Sequence, residues 1–187
     1  MADWGQIYAD KSVADATPAE VLKDNMHLLP ASGVALDYAS GLAGNGQLLA
    51  QLGLAVTAWD YSRAGVEKIN QFSSAQDLNL HAEVKDLEQD YPLLSGQFDV
   101  ICVSYFLHRK SMAKIYDLLA PGGLLFYQTF SGPQRNSMGP SREAFRLRRG
   151  ELLQTFSAME LLFYREDPQG IELRSGYSDQ ALFVAKK

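Results

Sequence analysis

Three aspartates stand where short apolar runs end, and any chemistry starts with them. Asp37 follows "VAL" and runs at once into "YASGLAGNG", a loop almost without side chains. Asp60 closes "LAVTAWD", 19 residues after Gly41, and Asp86 follows "NLHAEVK" with Leu87 beside it. A carboxylate at such a strand end can accept hydrogen bonds from two ribose hydroxyls, as in nucleoside-binding α/β folds. A carboxylate placed like Asp86 could take an adenine amino proton while the neighbouring leucine packs on the ring. Each aspartate has a plainer reading, since strand-terminal aspartates also cap helices and bend turns. All three at one edge, at suitable intervals, favour a ligand.

The glycine loop limits which ligand. A dinucleotide fingerprint needs G-x-G-x-x-G directly after the strand, to bring a pyrophosphate onto a helix N-terminus. From Gly41 the chain reads G-L-A-G-N-G and from Gly44 it reads G-N-G-Q-L-L, so neither frame fits. No Gly-Lys-Ser/Thr follows, which removes the phosphate-binding P-loop. Asp60 alone identifies only a nucleoside, because nicotinamide and adenosyl cofactors share that geometry. His27, His81 and His108 are scattered without metal-ligand spacing, so no metal is expected. Cys102, in "FDVICVSYF", is the only cysteine and reads as a buried, inert thiol.

The elements that must position these residues alternate along the chain. Strand-like "GVALDYA", "LAVTAWD", "NLHAEV", "QFDVICVSY" and "LLFYQTF" alternate with helical "NGQLLAQLG", "SRAGVEKINQFSSA" and "SMAKIYDLLA". Gly53 closes the first of these helices, Ser62 is an N-cap for the second, and Pro121-Gly122-Gly123 stops the third before its strand. This rhythm implies right-handed crossovers and a parallel sheet covered on both faces, which the near-continuous apolar strands fit. After Phe130 comes a Gly/Pro/Arg-rich insertion, "SGPQRNSMGPSREAFRLRRG", then a short helix, "ELLQTF". "MELLFYRE" and "DQALFVAK" follow as two consecutive strands, hence an antiparallel hairpin after five parallel strands. Ligands in such open sheets sit beyond the carboxyl ends of the strands, where the strand order reverses.

Length and composition agree with this. The 187 residues, 47% apolar and 21% charged, read as one soluble α/β domain with a substantial core. A net charge of -5 argues against nucleic acid as a partner. "MADWGQIYADKS" has neither a basic start nor an apolar centre, and no apolar run is long enough to span a bilayer. A cytoplasmic protein without a membrane partner is expected, and its oligomeric state is left open.

"ALDYASGLAGNGQLLAQLGLAVTAWDYS" resembles the first two motifs of the class I S-adenosylmethionine-dependent methyltransferases. "FDVICVSYFLHR" and "LLAPGGLLFYQTF" resemble their fourth and fifth strand regions, and "GPSREAFRLRRGELLQTF" with "MELLFYRED" is similar to small bacterial enzymes of the tellurite-resistance-related, TehB-like type. The resemblance implies a Rossmann-like, mostly parallel sheet of seven strands with helices on both faces, the whole of 1–187 being one domain. Residues 1–29 would form an N-terminal helical lid with Trp4 and Tyr8 as its aromatics, and 131–150 a substrate-side insertion. It implies S-adenosylmethionine as cofactor and S-adenosylhomocysteine as product. Backbone groups of Ala39, Ser40 and Gly41 would approach the methionine half, and Asp37 would help fix the loop and face the cofactor's ammonium, directly or through water. Asp60 would hold the ribose, Tyr61 would lie beside the adenine, Asp86 and Leu87 would read it from the far side, and Ser104 and Tyr105 would sit near the sulfonium. The chain departs from the family pattern at Ala39 and Ala43, where glycine is usual and a methyl could crowd the ligand or oppose a positive φ.

Methyl transfer from a sulfonium is an in-line displacement whose main demand is positioning. A base is needed only where the acceptor must lose a proton. His108, following the fourth strand, is the candidate base; its plainer reading is a helix N-terminal residue bonded to its neighbours. Arg109 could hold an anionic group, and so could Arg142 and Arg146 in the cluster running from Arg135 to Arg149. Those arginines read equally well as solvated, or as tied to Glu143 and Glu151. Phe130, at a strand end, is the aromatic best placed to meet substrate. The place where amine-methylating nucleic-acid enzymes carry Asp/Asn-Pro-Pro-Tyr/Phe reads "SYFLHR", which again favours a small-molecule acceptor. Two alternatives stand beside this: a degenerate S-adenosylmethionine-binding domain without turnover, and an NAD(P)-dependent oxidoreductase.

Overall fold

Apolar runs with two buried faces become the strands of a single sheet. The computed structural model describes residues 8, 10–89, 97–134, 139–167, 177 and 179–187. In chain order the elements are α1 (Glu20–Asp24), β1 (Val34–Tyr38), α2 (Gly44–Gln51), β2 (Ala55–Asp60), α3 (Arg63–Ala75), β3 (Leu80–Val84) and β4 (Phe98–Ser104). They continue with α4 (Arg109–Met112), α5 (Ile115–Leu118), β5 (Leu119–Phe130), α6 (Glu151–Thr155), β6 (Glu160–Glu166) and β7 (Gln180–Lys186). The seven strands lie in the order β3-β2-β1-β4-β5-β7-β6. β1 to β5 run parallel, and β7 enters between β5 and β6, antiparallel to both. This is the mixed α/β sheet expected from the sequence.

Successive residues of a strand point to opposite faces, and here both faces are covered. Ala35, Val100, Cys102, Leu124 and Phe126 join one core with α2, α3 and the N-terminal segment. Leu36, Ile101, Val103, Leu125 and Tyr127 join the other, with Met112, Ile115, Leu118, Leu152 and Phe156 from α4, α5 and the chain around α6. Cys102 is fully buried, and burial, followed by the nearby Asp37 carboxylate, pushes its thiol well above the ordinary range. It is an inert core residue.

Two local expectations are corrected. "SMAKIYDLLA" is not one helix but the end of α4, a break, and α5, and β5 already begins at Leu119. Pro121-Gly122-Gly123 therefore lies within the strand. Leu119 pairs with Phe98 and Leu124 with Val100, so the proline and glycines take up surplus length as a bulge. Pro121 cannot donate to a ladder, and Gly122 takes φ +79° so that its N–H reaches the Lys187 carbonyl at 2.9 Å.

Of the helical lid expected over 1–29, the described residues show helix at Tyr8 and α1 and single turns at Val13–Asp15 and Met26–Leu28. Trp4 lies outside the described residues. In the insertion, residues 135–138, Arg135 among them, also lie outside the described residues, and Ser131 bridges to Leu147.

Candidate functional site

The order reverses between β1 and β4, and a cavity of about 650 Å³ opens at the carboxyl ends of the strands there. The structure brings together Ala39, Ser40 and Gly41 from the loop after β1, Asp60 and Tyr61 from the end of β2, Asp86 and Leu87 after β3, and Ser104 and Tyr105 at the end of β4. Tyr8 and the segment from Asp10 to Glu20 close the opposite wall. The sequence expectation for these positions and the geometry agree in placing them around one space.

The β1–α2 loop keeps its path by an unusual backbone. Ala39, Gly41 and Ala43 all take the left-handed conformation, at φ 57°, 58° and 57°. For an L-residue that costs roughly 1–2 kcal/mol, so the surroundings must hold it. Ser40 N–H donates to the Trp59 carbonyl at 2.9 Å, and Ala43 N–H to the Ser40 carbonyl at 2.8 Å. Asp60 binds the loop to its own strand end: Oδ2 accepts from Gly41 N–H at 2.9 Å and Oδ1 from Ser62 N–H at 2.8 Å. Burial pushes the Asp60 carboxyl up, against the backbone N–H groups that pull it down, and the net shift is upward. Each oxygen retains a lone pair beyond these bonds, which suits a carboxylate that must still meet hydroxyls in the cavity.

The first glycines of α2 serve packing. A Cβ on Gly44 would lie 2.4 Å from the Thr17 carbonyl oxygen, so the N-terminal segment can cross there only against a bare backbone. The amides that follow hold that segment. Asn45 Oδ1 accepts from Ala19 N–H at 2.8 Å, and Gln47 Nε2 donates to the Val13 carbonyl at 2.9 Å. Asn45 Nδ2 also reaches Ser104 Oγ at 3.0 Å and Asp37 Oδ1 at 3.2 Å. Lys68, on α3, donates to the carbonyls of Tyr8 and Lys11 from outside.

Asp37 fixes the loop as expected: it is fully buried behind it and does not line the cavity, with Oδ2 accepting from Gly46 N–H at 2.8 Å. Burial drives its carboxyl up to about 7, with Asp60 adding to the rise against the bonds from Asn45 and Gly46. It fixes the loop, and Asn45 carries the connection to the wall. Asp86 lines the cavity while its Oδ1 also accepts from Glu88 N–H at 3.0 Å, so the turn-bending reading holds alongside the other.

The residues assigned to substrate sit elsewhere. His108 is the N-cap of α4, its Nδ1 3.1 Å from Ser111 Oγ, and it does not line the cavity. Arg109 is bound to Glu151 through Nε (2.7 Å) and Nη2 (2.9 Å) and to the carbonyls of Ala144 and Arg146 at 2.7 and 2.8 Å. Arg146 is only 2% exposed; it donates to the carbonyls of Gly132, Ser131 and Pro140 and pairs with Asp179. Arg142 is exposed on the insertion. Phe130 carries the Arg146 guanidinium over its ring and packs against Tyr105 and Gly139. None of these five lines the cavity. Arg109 and Arg146 tie the insertion down, because a guanidinium has five donors for the backbone carbonyls a long loop leaves over.

In their place the structure supplies Glu20 and Gln128. Gln128, on β5, is fully buried, and its Oε1 accepts from Val21 N–H at 2.9 Å. Its Nε2 donates to Glu20 Oε2 at 2.8 Å and to Gln180 Oε1 at 2.7 Å, with the Tyr105 hydroxyl 3.2 Å away. Glu20 lines the cavity. A lone glutamine inside the apolar strand "LLFYQTF" was the available sign, since a buried amide needs partners.

Whether this cavity fits an adenosyl amino acid can be tested on its own atoms. Ser40 Oγ is buried at the wall without a hydrogen-bond partner, and an orphaned hydroxyl beside an open cavity calls for a polar ligand atom. Asp60 offers carboxylate lone pairs at the neighbouring strand end, and Tyr61, 57% exposed, leaves a ring face open beside it. The residues fit the group.

An open, mostly parallel sheet with a closing antiparallel hairpin and a nucleoside-sized cavity at its reversal point defines the class I methyltransferase fold. Residues 35–123 match the family model of the methyltransferase domain, and over that stretch the chain carries an S-adenosylmethionine-dependent methyltransferase domain. Solved structures share the fold. TehB from Haemophilus influenzae is 20% identical over 98% of this chain and 67% of its own, with a TM-score of 0.73. A TehB-like S-adenosylmethionine-dependent methyltransferase from Corynebacterium glutamicum is 18% identical over 98% and 96%, with a TM-score of 0.68. Geranyl diphosphate C-methyltransferase from Streptomyces coelicolor A3(2), crystallised with S-adenosyl-L-homocysteine, is 14% identical over 89% and 78%, with a TM-score of 0.68. No curated protein matches the sequence. The family match removes the nicotinamide alternative.

Proposed function

We propose that the protein transfers the methyl group of S-adenosylmethionine to a small-molecule acceptor that enters beside Glu20 and Tyr105. The observation that carries this is the single closed arrangement around the cavity. The strand ends supply Ser40, Asp60, Asp86 and Ser104, and the N-terminal segment from Asp10 to Glu20 covers them. About 650 Å³ leaves, beside a nucleoside carrying an amino acid, room for a small partner only. The TehB neighbours link the fold to tellurite resistance by name alone, and the acceptor is argued below from this chain's own residues.

When bound, S-adenosylmethionine supplies an electrophilic methyl on a positively charged sulfur. The chain's part is to bind and orient. Asp60 holds the ribose hydroxyls with the lone pairs left by Gly41 and Ser62, and Ser40 Oγ takes a polar atom of the amino-acid end. Asp86 and Leu87 face the base from the β3 side. Asn45 ties the loop, Ser104 and Ala19 into one unit, so donor and acceptor walls move little relative to each other, which is the demand of an in-line displacement. Ala39 and Ala43 adopt the backbone that glycine would, so the loop path survives the two methyls, and this weighs against a degenerate domain.

Isothermal titration with S-adenosylmethionine and S-adenosylhomocysteine tests the reading. Binding of both at micromolar concentration, with turnover on a panel of small acceptors, is expected. Absence of binding at millimolar concentration sinks it, and binding without turnover on any acceptor favours the degenerate domain.

A further inference from the structure

The acceptor wall carries a carboxylate that the cofactor does not need. Glu20 opens α1 and turns Oε2 toward the end of the sheet, where Gln128 Nε2 donates to it at 2.8 Å and the Tyr105 hydroxyl lies at 3.4 Å. Its other oxygen has Lys23 Nζ at 3.7 Å, an exposed pair of little weight. Gln128 is itself held on three sides by Val21, Gln180 and Glu20. The carboxylate is thus set in position from the sheet and left with open lone pairs at the wall.

Cations that could have met an anionic acceptor are bound elsewhere. Arg109 and Arg146 bind Glu151, Asp179 and backbone carbonyls. The lysines of the cavity, Lys11 and Lys85, belong to the outer N-terminal segment and to the end of β3, where Lys85 lies over Trp59 and near Glu83. Lys23 is paired with Glu20 itself, so an oxyanion at the β4–β5 end would meet the Glu20 carboxylate together with that lysine.

Resting on the methyltransferase reading above, we infer that Glu20 is the acceptor-side catalytic residue of this cavity and that the acceptor is a neutral nitrogen nucleophile bearing an N–H. The Glu20 carboxylate accepts that N–H and aims the nitrogen lone pair at the methyl. The lone pair forms the N–C bond as the S–C bond breaks, the bonding pair stays on sulfur, and the positive charge passes from sulfur to nitrogen. Glu20 stabilises that charge where it develops, then relays the surplus proton to water. An amine is favoured over an alcohol because a neutral amine already has its nucleophilic pair, whereas an alcohol calls for a strong base. Glu20 is a weak one. Burial pushes its carboxyl up, but Gln128, its own backbone, Lys23 and Tyr105 together hold it below the ordinary carboxylate value.

The test uses the full chain, E20Q and E20D. Titration of S-adenosylhomocysteine comes first, then titration of aniline, N-methylaniline and selenite into the protein saturated with S-adenosylhomocysteine, and then methyl transfer to the amines, selenite, tellurite and 2-mercaptoethanol. Wild type is expected to bind and methylate an amine in preference to the oxyanions and the thiol. In E20Q, kcat on that amine falls about 100-fold while S-adenosylhomocysteine affinity stays within about threefold, and E20D restores part of the loss. Preference for an oxyanion or thiol, failure of both amines to bind the saturated protein, or full amine turnover in E20Q overturns the inference. So does an E20Q loss that appears equally in S-adenosylhomocysteine affinity, which would make Glu20 structural. Failure of wild type to bind S-adenosylhomocysteine overturns the broader reading instead.

Discussion

Two regions of this molecule concentrate charge beside the ends of its strands, and they do opposite things. On the β1–β2 side, Asp60 accepts two backbone N–H groups, Asp86 bends its own turn, and both still face open space. Around the insertion after β5, Arg109 and Arg146 line no part of the cavity. Their guanidinium groups are bound to carboxylates and to backbone carbonyls of the insertion. A carboxylate at a strand end meets few donors and keeps lone pairs, whereas an arginine beneath a long loop meets many acceptors and is consumed by them. Charge in a sequence therefore locates a ligand only when the local backbone leaves the group unfilled.

The sharpest way to break that comparison is Arg146→Ala. Removing one member of a buried, hydrogen-bonded ion pair typically costs about 3–5 kcal/mol, and Arg146 and Asp179 have side chains only 1% and 3% exposed. Chemical denaturation is expected to show a loss of that size, while the molecules that remain folded bind S-adenosylhomocysteine with wild-type affinity. Intact stability together with lost turnover would return Arg146 to the substrate.

Asp60→Ala is expected to show the reverse pattern. Affinity for S-adenosylhomocysteine should fall by about 1–3 kcal/mol, the loss typical of polar partners left unpaired, with a smaller loss of stability from the freed N–H groups of Gly41 and Ser62. Unchanged affinity by titration calorimetry would mean that Asp60 holds only its own loop, and the contrast between the two regions would lose one side.

The legible half of this fold was its sheet. Five apolar runs with buried alternate faces gave the parallel strands, and the two runs without an intervening helix gave the hairpin. Asp60 and Asp86 could be placed because a strand end is marked by where apolar residues stop. Glu20 and Gln128 could not, because their meeting joins residues 108 apart in the chain, and no local pattern carries such a contact. The arginines stayed ambiguous for a related reason: "REAFRLRRG" fits an anion site or a tied loop equally well, and only the tertiary positions of Gly132 and Asp179 show that Arg146 is already satisfied. The Pro-Gly-Gly stretch reads locally as a stop, and its place inside β5 depends on Phe98 and Val100 across the ladder.

The smallest predicted effect concerns the loop itself. Ala39 and Ala43 share φ 57°, and a glycine at either position would relieve a left-handed strain of roughly 1–2 kcal/mol. Against this stands the greater entropy glycine loses on folding, about 0.5–1 kcal/mol. Ala39 is half-buried, so Ala39→Gly is expected to stabilise the protein by about 0.5–1 kcal/mol. Ala43 is fully buried, and losing its methyl forfeits about 0.8 kcal/mol of burial, which brings Ala43→Gly close to neutral. Urea denaturation of the two variants side by side separates the terms, since the backbone angle is common to both and only the burial differs. Equal gains would show that the Ala43 methyl contributes nothing to the core, and a loss in Ala39→Gly would show that the loop holds its left-handed turn without strain.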